Sequence, residues 1–174
     1  MPPTSCTRVA AMRPDAAPDQ ADGLRRLLRT ESGPRIVGLF AAETSLIAQA
    51  SGNLACAMAR RGTDTWLFDD SMANSPASAA SLPVAAQLGL APARGLAEAL
   101  AGGNLAHSAE THASGLRLVR AGLPHELAAQ VTVARWAPIA RQLAGADWLF
   151  ASARPDGHSS LALAAPERVL VVPA

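Results

Sequence analysis

Residues 35–69 read RIVGLFAAETSLIAQASGNLACAMARRGTDTWLFD, and this stretch decides the fold. Arg35-Ile36-Val37-Gly38-Leu39-Phe40 has the length and apolar content of a buried strand. Residues 44–61 follow with helical spacing through Leu46, Ile47, Leu54, Ala55 and Met58. They end on Arg60-Arg61-Gly62, a basic last turn and a glycine stop. Thr65-Trp66-Leu67-Phe68 is then a second strand. Strand, helix and strand in so short a span form a βαβ unit, which builds a parallel sheet through a right-handed crossover.

The alternation continues toward the C-terminus. Residues 71–83 are Ser/Ala/Pro-rich and loop-like, Gly95 to Ala101 form a short helix, and Leu116-Arg117-Leu118-Val119 a third strand. A longer helix spans residues 124–143, opened by Pro124-His125-Glu126, and Pro138 is expected to kink or split it near Ala137. Asp147-Trp148-Leu149-Phe150 and Arg168-Val169-Leu170-Val171-Val172 supply strands four and five. The expectation is a three-layer α/β domain over residues 35–174, with a mainly parallel sheet of about five strands. Phe40, Trp66, Phe68, Trp136, Trp148 and Phe150 fall in these elements and are expected in the core.

Toward the N-terminus, Ser32-Gly33-Pro34 breaks the chain from a preceding amphipathic helix over residues 19–31. Asp19 caps its first turn, and Ala21, Leu24, Leu27 and Leu28 form one apolar stripe. Gly23 lowers its intrinsic helicity by about 1 kcal/mol, so ordering on a partner is expected. Residues 1–18 carry four prolines and no periodicity, and read as a disordered leader.

Composition narrows the function. At 174 residues the chain is one domain's worth, and 40 of them are alanine, so the core is expected to be thin and helix-rich. With 15 basic against 14 acidic residues, the chain has no electrostatic footprint for nucleic acid or anionic membrane. All 15 basic residues are arginine, which removes every mechanism that needs an ε-amine. Cys6 and Cys56 are isolated and fit a reduced, cytoplasmic protein with inert thiols. No membrane span or signal peptide is present, and His107, His112, His125 and His158 lack metal-ligand spacing and read as surface residues. Asp156-Gly157-His158-Ser159-Ser160 is a polar turn too tight for triad geometry.

In an open parallel sheet, ligands bind at the carboxyl ends of the strands. The loop after the first strand reads Ala41-Ala42-Glu43-Thr44-Ser45-Leu46-Ile47-Ala48, without the glycines and lysine that cradle phosphates and with an added carboxylate.

Three stretches carry a family resemblance over residues 19–174. The first is Asp19-Gln20-Ala21-x-x-Leu24-Arg25. The second is Asn53-Leu54-Ala55 through Arg60-Arg61-Gly62 to Leu67-Phe68-Asp69. The third is the ordered series Leu88-Gly89-Leu90, Arg94-Gly95-Leu96, Leu100-Ala101-Gly102, Gly115-Leu116-Arg117 and Ala121-Gly122. Together they resemble the MinD/ParA class of deviant Walker A ATPases, with a P-loop-NTPase-like fold, and most of all its FlhG (FleN, YlxH) flagellar regulators.

Counted back from Asn53 without gaps, the family's G-K-G-G-x-G-K-T falls on Ala41 to Ala48. The signature lysine then becomes Ala42, the P-loop lysine Ile47 and the magnesium-binding threonine Ala48. The second aspartate after strand two becomes Ser71, and the aspartate ending strand four becomes Ser152, while Asp69 keeps its place. The ATP and magnesium that the resemblance implies are therefore not expected to bind, catalytic and metal-binding residues are expected to be absent, and the chain reads as a pseudo-ATPase. The resemblance further implies that residues 19–29 contact an FlhF-type signal-recognition GTPase. Ala21, Leu24 and Leu28 would be the apolar anchors, and Asp19, Gln20 and Arg25 the polar contacts. It leaves a flagellar transcription regulator open as a further partner, and a cell-polar location reached through the partner. The chain stops where the family continues into further strands and a membrane-touching helix, so a truncated form is expected, and ATP-driven dimerisation loses its ligand. An ATP-binding switch with an atypical loop and a nonfunctional truncated remnant remain the alternative readings.

Overall fold

The computed structural model describes residues 33–70, 84–90, 95–123, 131–153 and 165–171. The expected leader, the 19–31 helix, Cys6, the 71–83 loop, residues 124–130 with His125, and the turn around His158 lie outside the described residues.

In chain order the elements are β1 (Arg35–Phe40), α1 (Thr44–Arg60), β2 (Thr65–Asp69), α2 (Val84–Gln87), α3 (Leu96–Leu100), a 3-10 turn (Leu105–Ser108), β3 (Glu110–Thr111), β4 (Arg117–Arg120), α4 (Val133–Gln142), β5 (Trp148–Ala153) and β6 (Glu167–Leu170). They build one sheet in the order β3-β4-β2-β5-β1-β6. The five strands expected from the sequence are parallel to one another, with β1 and β5 paired along their whole length from Arg35↔Trp148 to Phe40↔Ala153. The sixth, β3, is an antiparallel edge strand that pairs only Glu110 with Leu118 and Thr111 with Arg117. Two residues are too few to show an alternation, so periodicity gave no sign of it.

Both faces of the sheet are covered, which explains why the strands read as continuous apolar runs. Along β2 the side chains alternate: Trp66 and Phe68 pack on one face with Trp136, Ile139 and Leu143, whereas Leu67 packs on the other with Ile47, Ala55 and Ala59. Trp66, Phe68, Trp136 and Phe150 are buried as expected, while Phe40 and Trp148 are half-buried.

Helix α1 lies on the second face through small residues. Ala48, Ala55, Cys56 and Ala59 are all buried there, and Ile47 is fully enclosed. Leu54, which the spacing placed in this stripe, instead stands on the outer side and is 40% exposed. The helix stops where the backbone N–H groups of Arg61 and Gly62 donate to Met58 and Ala59, Gly62 adopting φ +83°. That conformation suits glycine because it has no Cβ.

Helix α4 corrects a second expectation, because it begins only at Val133, after the non-helical Val131 and Thr132, and is not split at Pro138 but runs on to Gln142. Proline removes the N–H that would bond the carbonyl of Ala134. Ala134 is exposed, so water can take that carbonyl, and the buried Trp136 and Ile139 anchor the helix on either side of the proline.

Candidate functional site

The carboxyl ends of β1, β2 and β5 bring together the segment after Phe40, Asp69 and Ser152. Residues 41–48 do not form one loop. Only Ala41, Ala42 and Glu43 lie between strand and helix, and Thr44 already starts α1. The backbone N–H of Ile47 donates to the Glu43 carbonyl at 3.1 Å, a helical bond across the span where a phosphate loop would open. The physical reason lies in the residue types, since Ser45, Leu46, Ile47 and Ala48 carry none of the glycine freedom that keeps such a backbone from helix.

Burial removes what chemistry the side chains could offer. Ala41 and Ile47 are fully buried, Ala48 is 1% exposed, and Leu46 packs against the same core. Ala42, Glu43 and Ser45 face solvent. Glu43 stands at the N-cap without a side-chain cap bond. Its carboxylate is favourable to the helix dipole there, and it repels a phosphate from the first-turn amides.

Asp69 is 6% exposed and held by protein donors. Its Oδ1 accepts from the Ser152 hydroxyl at 2.9 Å, and its Oδ2 from the Val84 backbone N–H at 3.4 Å. The two residues are register neighbours on β2 and β5, and the Asp70 N–H donates to the Ser152 carbonyl at 2.9 Å. Ser152 is the site residue whose importance the sequence reading missed, having counted it only as a lost carboxylate. A hydroxyl facing Asp69 closes a hydrogen bond, whereas a second carboxylate would need a cation or proton between the two. Replacing Ser152 with alanine is therefore expected to lower stability by about 1.5–3 kcal/mol, the range for losing a hydrogen bond to a buried charged group. Urea denaturation of the variant checks it.

These residues do not fit ATP with magnesium. The chain has no lysine, the segment between β1 and the helix is three residues, Ile47 and Ala48, which the resemblance aligns with the P-loop lysine and threonine, are core side chains, and the two Asp69 oxygens are bonded. Among the described residues, no group of three or more His, Cys, Asp or Glu could hold a metal ion.

The histidines divide. His107 is exposed, as expected. His112 corrects the expectation of a simple surface residue, because its Nδ1 lies 3.6 Å from the Cys56 Sγ and accepts from the Ser114 backbone N–H at 3.2 Å. The Ser114 hydroxyl lies 2.9 Å from the same Nδ1. The six residues singled out for partner contact, Asp19, Gln20, Ala21, Leu24, Arg25 and Leu28, lie outside the described residues.

Neither protein-family models nor curated proteins match the sequence. Solved structures do. The chimerical protein CapA2B2 superposes with a TM-score of 0.60 at 16% identity, covering 85% of this chain and 66% of that one. The kinase domain of the Escherichia coli tyrosine kinase ETK superposes with a TM-score of 0.55 at 16% identity, covering 92% of this chain and 70% of that one. The chain is thus an α/β protein with a P-loop-NTPase-like fold, mainly parallel in its sheet. It spans about two thirds of the length of these similar structures. No helix among the described residues is long and apolar enough to cross a membrane.

Proposed function

We propose that the protein is an FlhG-like regulator of flagellar number or placement, which acts through an FlhF-type GTPase and does not hydrolyse ATP itself. One observation carries this reading: the segment Asp19-Gln20-Ala21-x-x-Leu24-Arg25 stands directly before a P-loop-NTPase-like domain whose phosphate loop has been replaced by a helical turn. The protein would work in the cytoplasm and reach the cell pole through its partner.

The test is the GTPase rate of the FlhF of the same organism, with and without this protein. The rate is expected to rise with the wild-type chain and to return to its basal value with Asp19→Ala/Gln20→Ala/Leu24→Ala. No stimulation by a protein shown to be folded would remove the reading. Micromolar ATP binding in isothermal titration would favour a nucleotide-binding switch, and loss of cooperative thermal unfolding would favour a remnant.

A further inference from the structure

At the amino ends of the strands, on the face covered by α4, Trp66, Gly102, Gly103, Asn104, Arg117 and Gln142 line a cleft of about 400 Å³. Trp66 is 2% exposed, and its buried indole Nε1–H has no hydrogen-bond partner. Folded proteins satisfy the large majority of such donors, because an unmet one loses its bond to water without replacement. This donor therefore needs an explanation.

Two side chains of the cleft wall, Arg117 and Gln142, offer further donors. The Arg117 guanidinium lies over the Trp66 ring, 4.9 Å from its centroid, and its side chain is 42% exposed. Its ion pair with Asp64 is long, 3.4 Å, and leaves most of its five N–H groups for other acceptors. Gln142 spends its carbonyl oxygen on the Leu105 N–H at 2.7 Å, while its Nε2 makes only a 3.4 Å contact with the Pro138 carbonyl. The Asn104 side-chain oxygen is taken by the Ala106 N–H at 2.8 Å.

We infer that this cleft binds a carboxylate group, held by Arg117 and Gln142 and able to accept from the Trp66 indole N–H. A guanidinium matches a planar carboxylate with two parallel bonds. The nearby Asp64 carboxylate disfavours a doubly charged phosphate more than a singly charged carboxylate. On the rim Gln142 is exposed and Arg117 half-buried. The carboxylate could belong to a small acid or to an acidic side chain of a partner peptide. The site stands apart from the phosphate-loop region and is independent of the flagellar reading.

The experiment is a ¹⁵N-¹H NMR titration of the full chain, read at the three indole N–H signals, with succinate, with the capped peptide acetyl-Glu-Glu-Glu-amide, and with sodium chloride at matched ionic strength. Trp66→Phe assigns the signal; should it fail to fold, Trp136→Phe and Trp148→Phe assign it by elimination. The Trp66 indole proton is expected to move downfield and saturate, with the other two unmoved. Arg117→Gln is expected to weaken binding about tenfold or more while the spectrum stays dispersed, as loss of a charge-assisted bond implies. A response to succinate alone assigns a small acid, and a response to the peptide alone assigns a protein partner. No saturable shift with either probe, an equal shift with sodium chloride, or affinity unchanged in folded Arg117→Gln overturns the inference.

Discussion

Placing a lysine at Ile47 (Ile47→Lys), which the resemblance aligns with the P-loop lysine, is expected to destabilise the protein by about 4 kcal/mol or more and to create no ATP site, because an unpaired charge would be forced into an apolar core. Ile47 is fully buried against Val37, Leu67 and Phe150, and its N–H is already bonded within α1. A lysine there would point under the sheet and away from any phosphate. Lost transfer energy of the isoleucine adds to the charge penalty. With the net stability of a domain this size on the order of 5–15 kcal/mol, the loss is a large share of the whole and lowers the melting temperature markedly. Circular dichroism melting measures the first effect, and isothermal titration with ATP the second. Ala42→Lys is the control: Ala42 is exposed, and the change is expected to stay within about 0.5 kcal/mol of wild type. A well-folded Ile47→Lys protein that binds ATP would show that residues 44–48 can open into a phosphate loop, and would overturn the pseudo-ATPase reading.

The second large effect concerns the core itself. Phe68→Ala is expected to lower stability by about 3–5 kcal/mol, the range for removing a buried aromatic side chain. Phe68 is fully buried on β2, a strand paired on both sides, and packs in the cluster that joins α3 and α4 to the sheet. Leu54→Ala removes a comparably apolar side chain from the outer side of α1 and should change stability by no more than about 0.5 kcal/mol. Chemical denaturation separates the two, the Phe68 variant shifting its midpoint with little change in slope. Equal effects at both positions would mean that α1 is covered by something outside the described residues.

Much of this architecture was legible because long apolar runs report burial directly. β1, β2, β4, β5 and β6 were each placed to within a few residues, since strands covered on both faces carry Val, Ile, Leu and Phe without alternation. The residue types of the loop were also legible: the chain has no lysine anywhere and no glycine from Ala41 to Ala48. Helix faces were less so. Leu54 fell on the expected stripe, but alanines at 55 and 59 let α1 approach the sheet along a narrower line, which left Leu54 outside. Pro138 was read by its intrinsic preference, and packing of Trp136 and Ile139 overrode it.

The candidate site separates the two kinds of information most clearly. Sequence by itself determined the βαβ unit, the parallel class of the sheet, the aromatic core and the absence of a phosphate-gripping lysine, because each follows from local composition and spacing. Tertiary structure alone decided the strand order, the inward turn of Ile47, the pairing of Ser152 with Asp69, the approach of His112 to Cys56, and the Arg117–Trp66 stack beside an unmet indole N–H. Those contacts join residues as much as 83 positions apart, as Ser152 and Asp69 are. No local pattern encodes such a pairing, since it exists only once the crossovers have set β2 beside β5 and β4 beside β2.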